Sequence, residues 1–83
     1  MEVSDIEKLI NDAITLDELH VKYDGSQCQV IAVSDMFESM SRVKRQQAIY
    51  APLTDVINAG TIHAVTIKTF TPAQWQRDKM FNL

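Results

Sequence analysis

His63 is the side chain best placed to do chemistry in this chain of 83 residues. It lies in the stretch Gly60-Thr61-Ile62-His63-Ala64-Val65-Thr66-Ile67-Lys68-Thr69-Phe70. Rich in β-branched residues and entered through a glycine, the stretch reads as a buried strand. Val65 and Ile67 share one face by the two-residue period, and His63 has their parity. The imidazole is therefore expected at the rim of the apolar face, within reach of solvent or a partner. Two readings stay open: a strand-end histidine bonded to nearby backbone, or a neutral imidazole that ligates a metal. General-base catalysis is weaker, because no serine, cysteine or carboxylate stands near His63 in sequence.

Cys28 is the lone cysteine, so an intramolecular disulfide is excluded and so is a metal site built only from cysteines of one chain. It alternates with Val30 and Ala32 just past the turn formed by Asp24, Gly25 and Ser26, the position of a small buried hydrophobe. The other reading is a thiolate ligand reaching out of the hairpin loop. Arg42, Lys44 and Arg45 form a basic cluster that is either a solvated helix face, with Val43 and Tyr50 packed inward, or a contact for phosphate, nucleic acid or an acidic partner. His20 alternates outward and reads as surface. Trp75 and Phe81 read as the residues that pin the last helix to the core.

The elements that must position these groups follow from patterning. Ser4 and Glu7 have the spacing of a capping box, and Ile6, Leu9, Ile10, Ala13 and Ile14 follow at helical spacing, giving a helix over residues 5–14. Residues 19–23 alternate as a first strand, and residues 27–34 form a second, so the two make a hairpin. A helical stretch begins near Asp35, Ser39 or Ser41 caps a helix over residues 42–50, and Pro52 forces a kink or restart. Leu53, Val56 and Ile57 carry the apolar stripe to Ala59, and Gly60 ends the helix. After the strand of His63, Thr71 caps a short last helix with Pro72 in its first turn. The order αββααβα implies an α+β fold: a three-stranded mixed sheet with helices packed on one side, the second and third strands parallel through a crossover.

Composition narrows the function classes. With 46% hydrophobic and 23% charged residues, the chain is an ordinary single globular domain with one modest core. No apolar run approaches the roughly 20 residues that span a membrane, and Met1-Glu2-Val3-Ser4-Asp5 is acidic where a signal peptide is basic, so the cytoplasm is expected. The net charge of −3 gives no general attraction to nucleic acid or anionic lipid. It is unevenly spread, −5 over residues 1–26 and +2 over residues 27–83, which leaves room for a local basic patch. No nucleophile–base constellation, phosphate loop or complete metal set is present, so an enzyme is not expected.

Three motifs, Phe37-Glu38-Ser39-Met40-Ser41-Arg42-Val43-Lys44-Arg45-Gln46-Gln47-Ala48-Ile49-Tyr50, Ile62-His63-Ala64-Val65-Thr66-Ile67-Lys68 and Thr71-Pro72-Ala73-Gln74-Trp75, resemble the BolA family. Asp24-Gly25-Ser26 and the wording of residues 41–50 point to its IbaG branch. The resemblance covers essentially the whole chain, residues 1–83, as a single BolA-like domain. It implies a fold similar to the type II KH domain and partnership with monothiol, CGFS-type glutaredoxins. In such a heterocomplex a 2Fe–2S cluster is held by the glutaredoxin cysteine, by glutathione and by a BolA-side histidine that matches His63. The isolated apo protein then carries no cofactor and is a monomer or weak homodimer.

A second BolA-side ligand, histidine or cysteine, usually stands in the hairpin loop. This sequence departs there: Gln27 occupies the position where the branch often has histidine, and Cys28 that of an aromatic residue. Either Cys28 substitutes, or His63 is the only side-chain ligand. The family is also described as DNA-binding regulators, which gives the alternative function, with Arg42, Lys44 and Arg45 as phosphate contacts. Against it stand the negative net charge and the lack of a Gly-x-x-Gly loop between the helices.

Overall fold

The architecture was obtained as a computed structural model, and it describes residues 1–81. Seven regular elements run as α1 (Val3–Ala13), β1 (Glu18–Tyr23), β2 (Gln27–Val33), α2 (Arg42–Tyr50), α3 (Thr54–Asn58), β3 (Ala64–Phe70) and α4 (Pro72–Asp78). Single 3₁₀ turns over Asp35–Ser39 and Ala51–Leu53 lead into α2 and α3, and a third over Lys79–Phe81 follows α4. This is the expected αββααβα order.

The sheet order is β1-β2-β3, with β1 antiparallel and β3 parallel to β2. The stretch of His63 is therefore an edge strand, half buried rather than buried. The central strand is β2, where Val30, Ile31, Ala32 and Val33 are each no more than 1% exposed. An unbroken apolar run suits a strand covered on both faces, whereas Thr66 and Lys68 interrupt β3 as an edge tolerates.

The two faces of β2 carry different cores. Cys28, Val30 and Ala32 pack with Ile6 and Ile10 of α1, Phe37, Ile49 of α2, Leu53 and Ile62. Ile31 and Val33, pointing the other way, pack with Trp75 of α4 and Phe70. The helices are thus not all on one side: α1 and α2 cover one face, and α4 covers part of the other. Trp75 pins α4 as expected, but Phe81 is exposed.

Local chemistry explains where the elements begin and end. Helix α1 starts two residues before the expected boundary. Glu2, not Ser4, is its N-cap, and the Glu2 N–H donates to the Asp5 carboxylate at 2.8 Å. Ser41 caps α2, its hydroxyl accepting from the Lys44 N–H at 3.2 Å. The buried position of α2 is Ile49, which turns Val43 and Tyr50 outward to solvent, against expectation. Gln46 and Arg45, one turn from Ile49, are half buried, as is Ala48. Pro52 falls inside the 3₁₀ turn between α2 and α3, the expected break. Thr71 and Gln74 form a reciprocal box at the start of α4, with Thr71 N–H to Gln74 Oε1 at 2.9 Å and Gln74 N–H to Thr71 Oγ1 at 3.3 Å.

Candidate functional site at His63

The end of α3 places His63. Gly60 adopts φ +79°, its N–H bonds the Ile57 carbonyl at 3.0 Å, and the Thr61 N–H bonds the Val56 carbonyl at 3.0 Å. These are the paired bonds of a Schellman closure, which needs a residue free to take positive φ. The chain then turns inward at Ile62, 1% exposed, and out again at His63, which is exposed. The histidine thus stands on irregular backbone immediately before β3. Burying Ile62 contributes about 1.5–3 kcal/mol and serves as the anchor that fixes where the next residue emerges.

The hairpin turn between β1 and β2 braces this backbone from the other side. The Ser26 carbonyl accepts from the N–H of His63 at 2.8 Å and from that of Ala64 at 3.3 Å. The Tyr23 hydroxyl lies 3.1 Å from the Gly25 carbonyl and 3.0 Å from the Thr61 carbonyl, so its proton is shared between the turn and the His63 segment. Asp24 shapes the turn itself, its Oδ1 accepting from the Gln27 N–H at 2.7 Å and the Ser26 N–H at 3.0 Å. These bonds hold the Asp24 carboxyl below its ordinary range, the Gln27 bond most strongly. His63's backbone is thereby fixed, while no side-chain hydrogen bond or ion pair engages its ring among the described residues. Tyr23 and Ser26 were absent from the sequence-based site. A tyrosine beside a turn signal hints at such a brace but does not specify its partner.

Cys28 lies inside β2, opposite Tyr23 and Val65, not in the loop. It is 3% exposed, and burial pushes its thiol above the ordinary range. The thiolate reaching out of the hairpin is therefore corrected: this is the buried hydrophobe. Gln27, by contrast, is exposed and pairs with Ala64, one residue beyond His63. With Lys22, Gln29 and Thr66 it lines a shallow polar depression of about 340 Å³ on the sheet face that α4 leaves open.

Arg42, Lys44 and Arg45 are not beside His63. Arg42 borders a depression with Lys68, Thr69 and Phe70, at the far end of β3. Five to seven strand residues separate the two places, roughly 17–23 Å at about 3.3 Å per residue. The arginines and the histidine therefore belong to two sites. His20 also differs from expectation: it is half buried, its ring 5.3 Å from that of Trp75, with Nε2 shielded from solvent and 3.5 Å from Glu18 Oε1.

No group of three or more potential metal ligands occurs among the described residues. An exposed imidazole with a fixed backbone has the chemistry of one ligand of a shared centre, and no described residue beside it completes a site. No helix among the described residues is long and apolar enough to cross a membrane.

The comparisons with known proteins agree with this architecture. The family model described as BolA-like protein matches residues 5–74. The solved BolA1 from Arabidopsis thaliana superimposes with a TM-score of 0.76 at 26% identity, covering 89% of this chain and 98% of that one. The BolA domain of SufE1 from the same plant gives 0.73 at 29% identity, covering 86% and 92%. The chain belongs to the BolA family. Within it, the acid stress protein IbaG of Escherichia coli K12 is 50% identical over 82 residues, 99% of this chain and 98% of that protein, which puts the chain in the IbaG branch.

Proposed function

We propose that this protein is a non-enzymatic partner of a monothiol, CGFS-type glutaredoxin and shares a 2Fe–2S cluster with it, His63 being the ligand it contributes. The supporting observation is the exposed His63 ring on backbone braced from both sides, by the α3 closure and by the Ser26 carbonyl at 2.8 Å. The family resemblance supplies the partner and the cluster, and a neighbour named for a SufE1 BolA domain is in keeping with iron–sulfur biology.

Cys28 is buried with a raised pKa, so His63 is the only side-chain ligand we assign to this chain; the remaining ligands come from the glutaredoxin cysteine and glutathione. Replacing a thiolate by imidazole at one iron removes negative charge and raises the cluster potential. An imidazole coordinates a metal only in its neutral form. Such a centre suits assembly, transfer or sensing of clusters in the cytoplasm rather than catalysis.

The test is to add the protein to a cluster-loaded monothiol glutaredoxin with glutathione and follow visible circular dichroism. A new spectrum that saturates at one protein per cluster supports the reading. An unchanged glutaredoxin spectrum at excess protein removes it. The DNA-binding alternative would rest on Arg42, Lys44 and Arg45, and it predicts salt-dependent duplex binding that survives His63→Ala.

A further inference from the structure

A third arginine joins the basic cluster, and it comes from the far end of the chain. Arg77 of α4 lines the same depression as Arg42 and Arg45, a hollow of about 380 Å³ between the start of α2, the end of β3 and α4. Arg45 is half buried and already oriented: its Nε donates to the Met40 carbonyl at 3.2 Å, and its guanidinium lies 5.9 Å from the centre of the Phe37 ring. Thr69 and Gln74 add polar groups to the wall. The Gln74 carbonyl oxygen is taken by the Thr71 N–H, which leaves its amide as a donor. Among the described residues the lining holds one carboxylate, Asp78, whose Oδ1 is 3.4 Å from Arg77 Nε.

Against the carboxylate of Asp78, the three arginines leave the described lining of the hollow net positive. The first turn of α2 holds no acidic residue, while Arg42, Lys44 and Arg45 stand there. Cations at a helix N-terminus oppose the macrodipole. In a chain with a net charge of −3, this gathering of like charge is a local basic patch. Planar guanidinium groups converging on one hollow have the geometry that binds tetrahedral oxyanions by paired hydrogen bonds.

We propose that the hollow bounded by Arg42, Arg45 and Arg77 binds a phosphoryl dianion, either inorganic phosphate or the phosphate monoester of a small molecule. The site is separate from His63 and goes beyond the cluster partnership. Arg77 and Arg42 supply bidentate contacts from opposite walls, Arg45 supplies a fixed charge at the base, and Gln74 donates through its amide.

The experiment is a titration with inorganic phosphate at constant ionic strength, balanced with chloride, followed by amide chemical shifts of the full chain. The expected result is saturable shifts confined to residues 42–45, 69–70 and 74–78. Exposed Arg42→Gln and Arg77→Gln variants should fold, as far-UV circular dichroism checks, and each should bind about tenfold more weakly, the loss of one charge-assisted pair. A parallel titration with a nucleoside monophosphate separates the free anion from the ester: whichever binds tighter names the source. His63→Ala should bind phosphate as the wild type does, so failure of the cluster reading leaves this result standing. Shifts that fail to saturate, or binding unchanged in Arg77→Gln, would overturn the proposal. So would tight binding of duplex DNA with no saturable response to phosphate.

Discussion

The N–H of His63 donates to the carbonyl of Ser26 at 2.8 Å, tying the start of the edge strand to the tip of a hairpin 37 positions earlier in the chain. The histidine's ring and the turn that holds its backbone are thus one mechanical unit. Changes in the turn should be felt at His63 without touching it.

Tyr23→Phe removes the hydroxyl shared between the Gly25 and Thr61 carbonyls, both at an exposed edge. The expected loss is about 0.5–1.5 kcal/mol in chemical denaturation. Amide exchange at His63 should accelerate more than exchange in the middle of β2, because the brace loosens before the core does.

Gly60→Ala tests the Schellman closure. A Cβ at Gly60 meets nothing within 4 Å, so any cost is the backbone's, from holding φ +79°. About 1–2 kcal/mol should be lost. Gly60→Asn should lose less, since asparagine tolerates this conformation.

Asp24 gives the turn a pH dependence of known sign. Bonds from the Gln27 and Ser26 N–H groups hold its carboxyl below the ordinary 3.8, so the folded state binds a proton less readily than the unfolded one. Its contribution is complete above pH 3.8 and fades as the pH falls toward the lowered folded value. Asp24→Ala should therefore melt below the wild type near neutral pH, and the gap should narrow as the pH falls below 3.8. A gap that widens on acidification would contradict the assignment.

How much of this was legible in the sequence varies by residue, for physical reasons. Caps and stops depend on neighbours a few positions away, so Ser41, Thr71, Pro72 and Gly60 could be read directly. The position of α1's cap slipped because Glu2 with Asp5 and Ser4 with Glu7 offer the same three-residue spacing. The β-branched richness of β3 reads as a buried strand, whereas β3 is a half-buried edge and the fully buried run is Val30 to Val33 of β2. Val43 and Tyr50 read as inward-facing from their apolar character, but α2 buries a single apolar position, Ile49, and both face solvent. What no local pattern carries is the meeting of distant segments. Ser26 with His63, Arg77 with Arg42, and His20 under Trp75 all arise from chain crossings.

Cys28 should behave as a core residue. Burial raises its thiol above the ordinary 9.0, so the folded state keeps the proton when the unfolded chain releases it. That contribution is intact below pH 9.0 and is lost as the pH rises past it. Alkylation should be slow in the native protein and fast in denaturant. Cys28→Ser, which buries a hydroxyl among apolar groups, should cost about 1–3 kcal/mol, whereas Cys28→Ala should leave the heterocomplex spectrum with glutaredoxin unchanged.

His63→Ala, mixed with cluster-loaded monothiol glutaredoxin and glutathione and read by visible circular dichroism, tests the central claim most directly. His63 is exposed and its ring has no bond among the described residues, so the variant should fold and melt as the wild type does. The expected outcome is that the heterocomplex spectrum fails to form and the glutaredoxin retains its own. A His63→Ala spectrum identical to that of the wild type would contradict the assignment of His63 as the shared ligand.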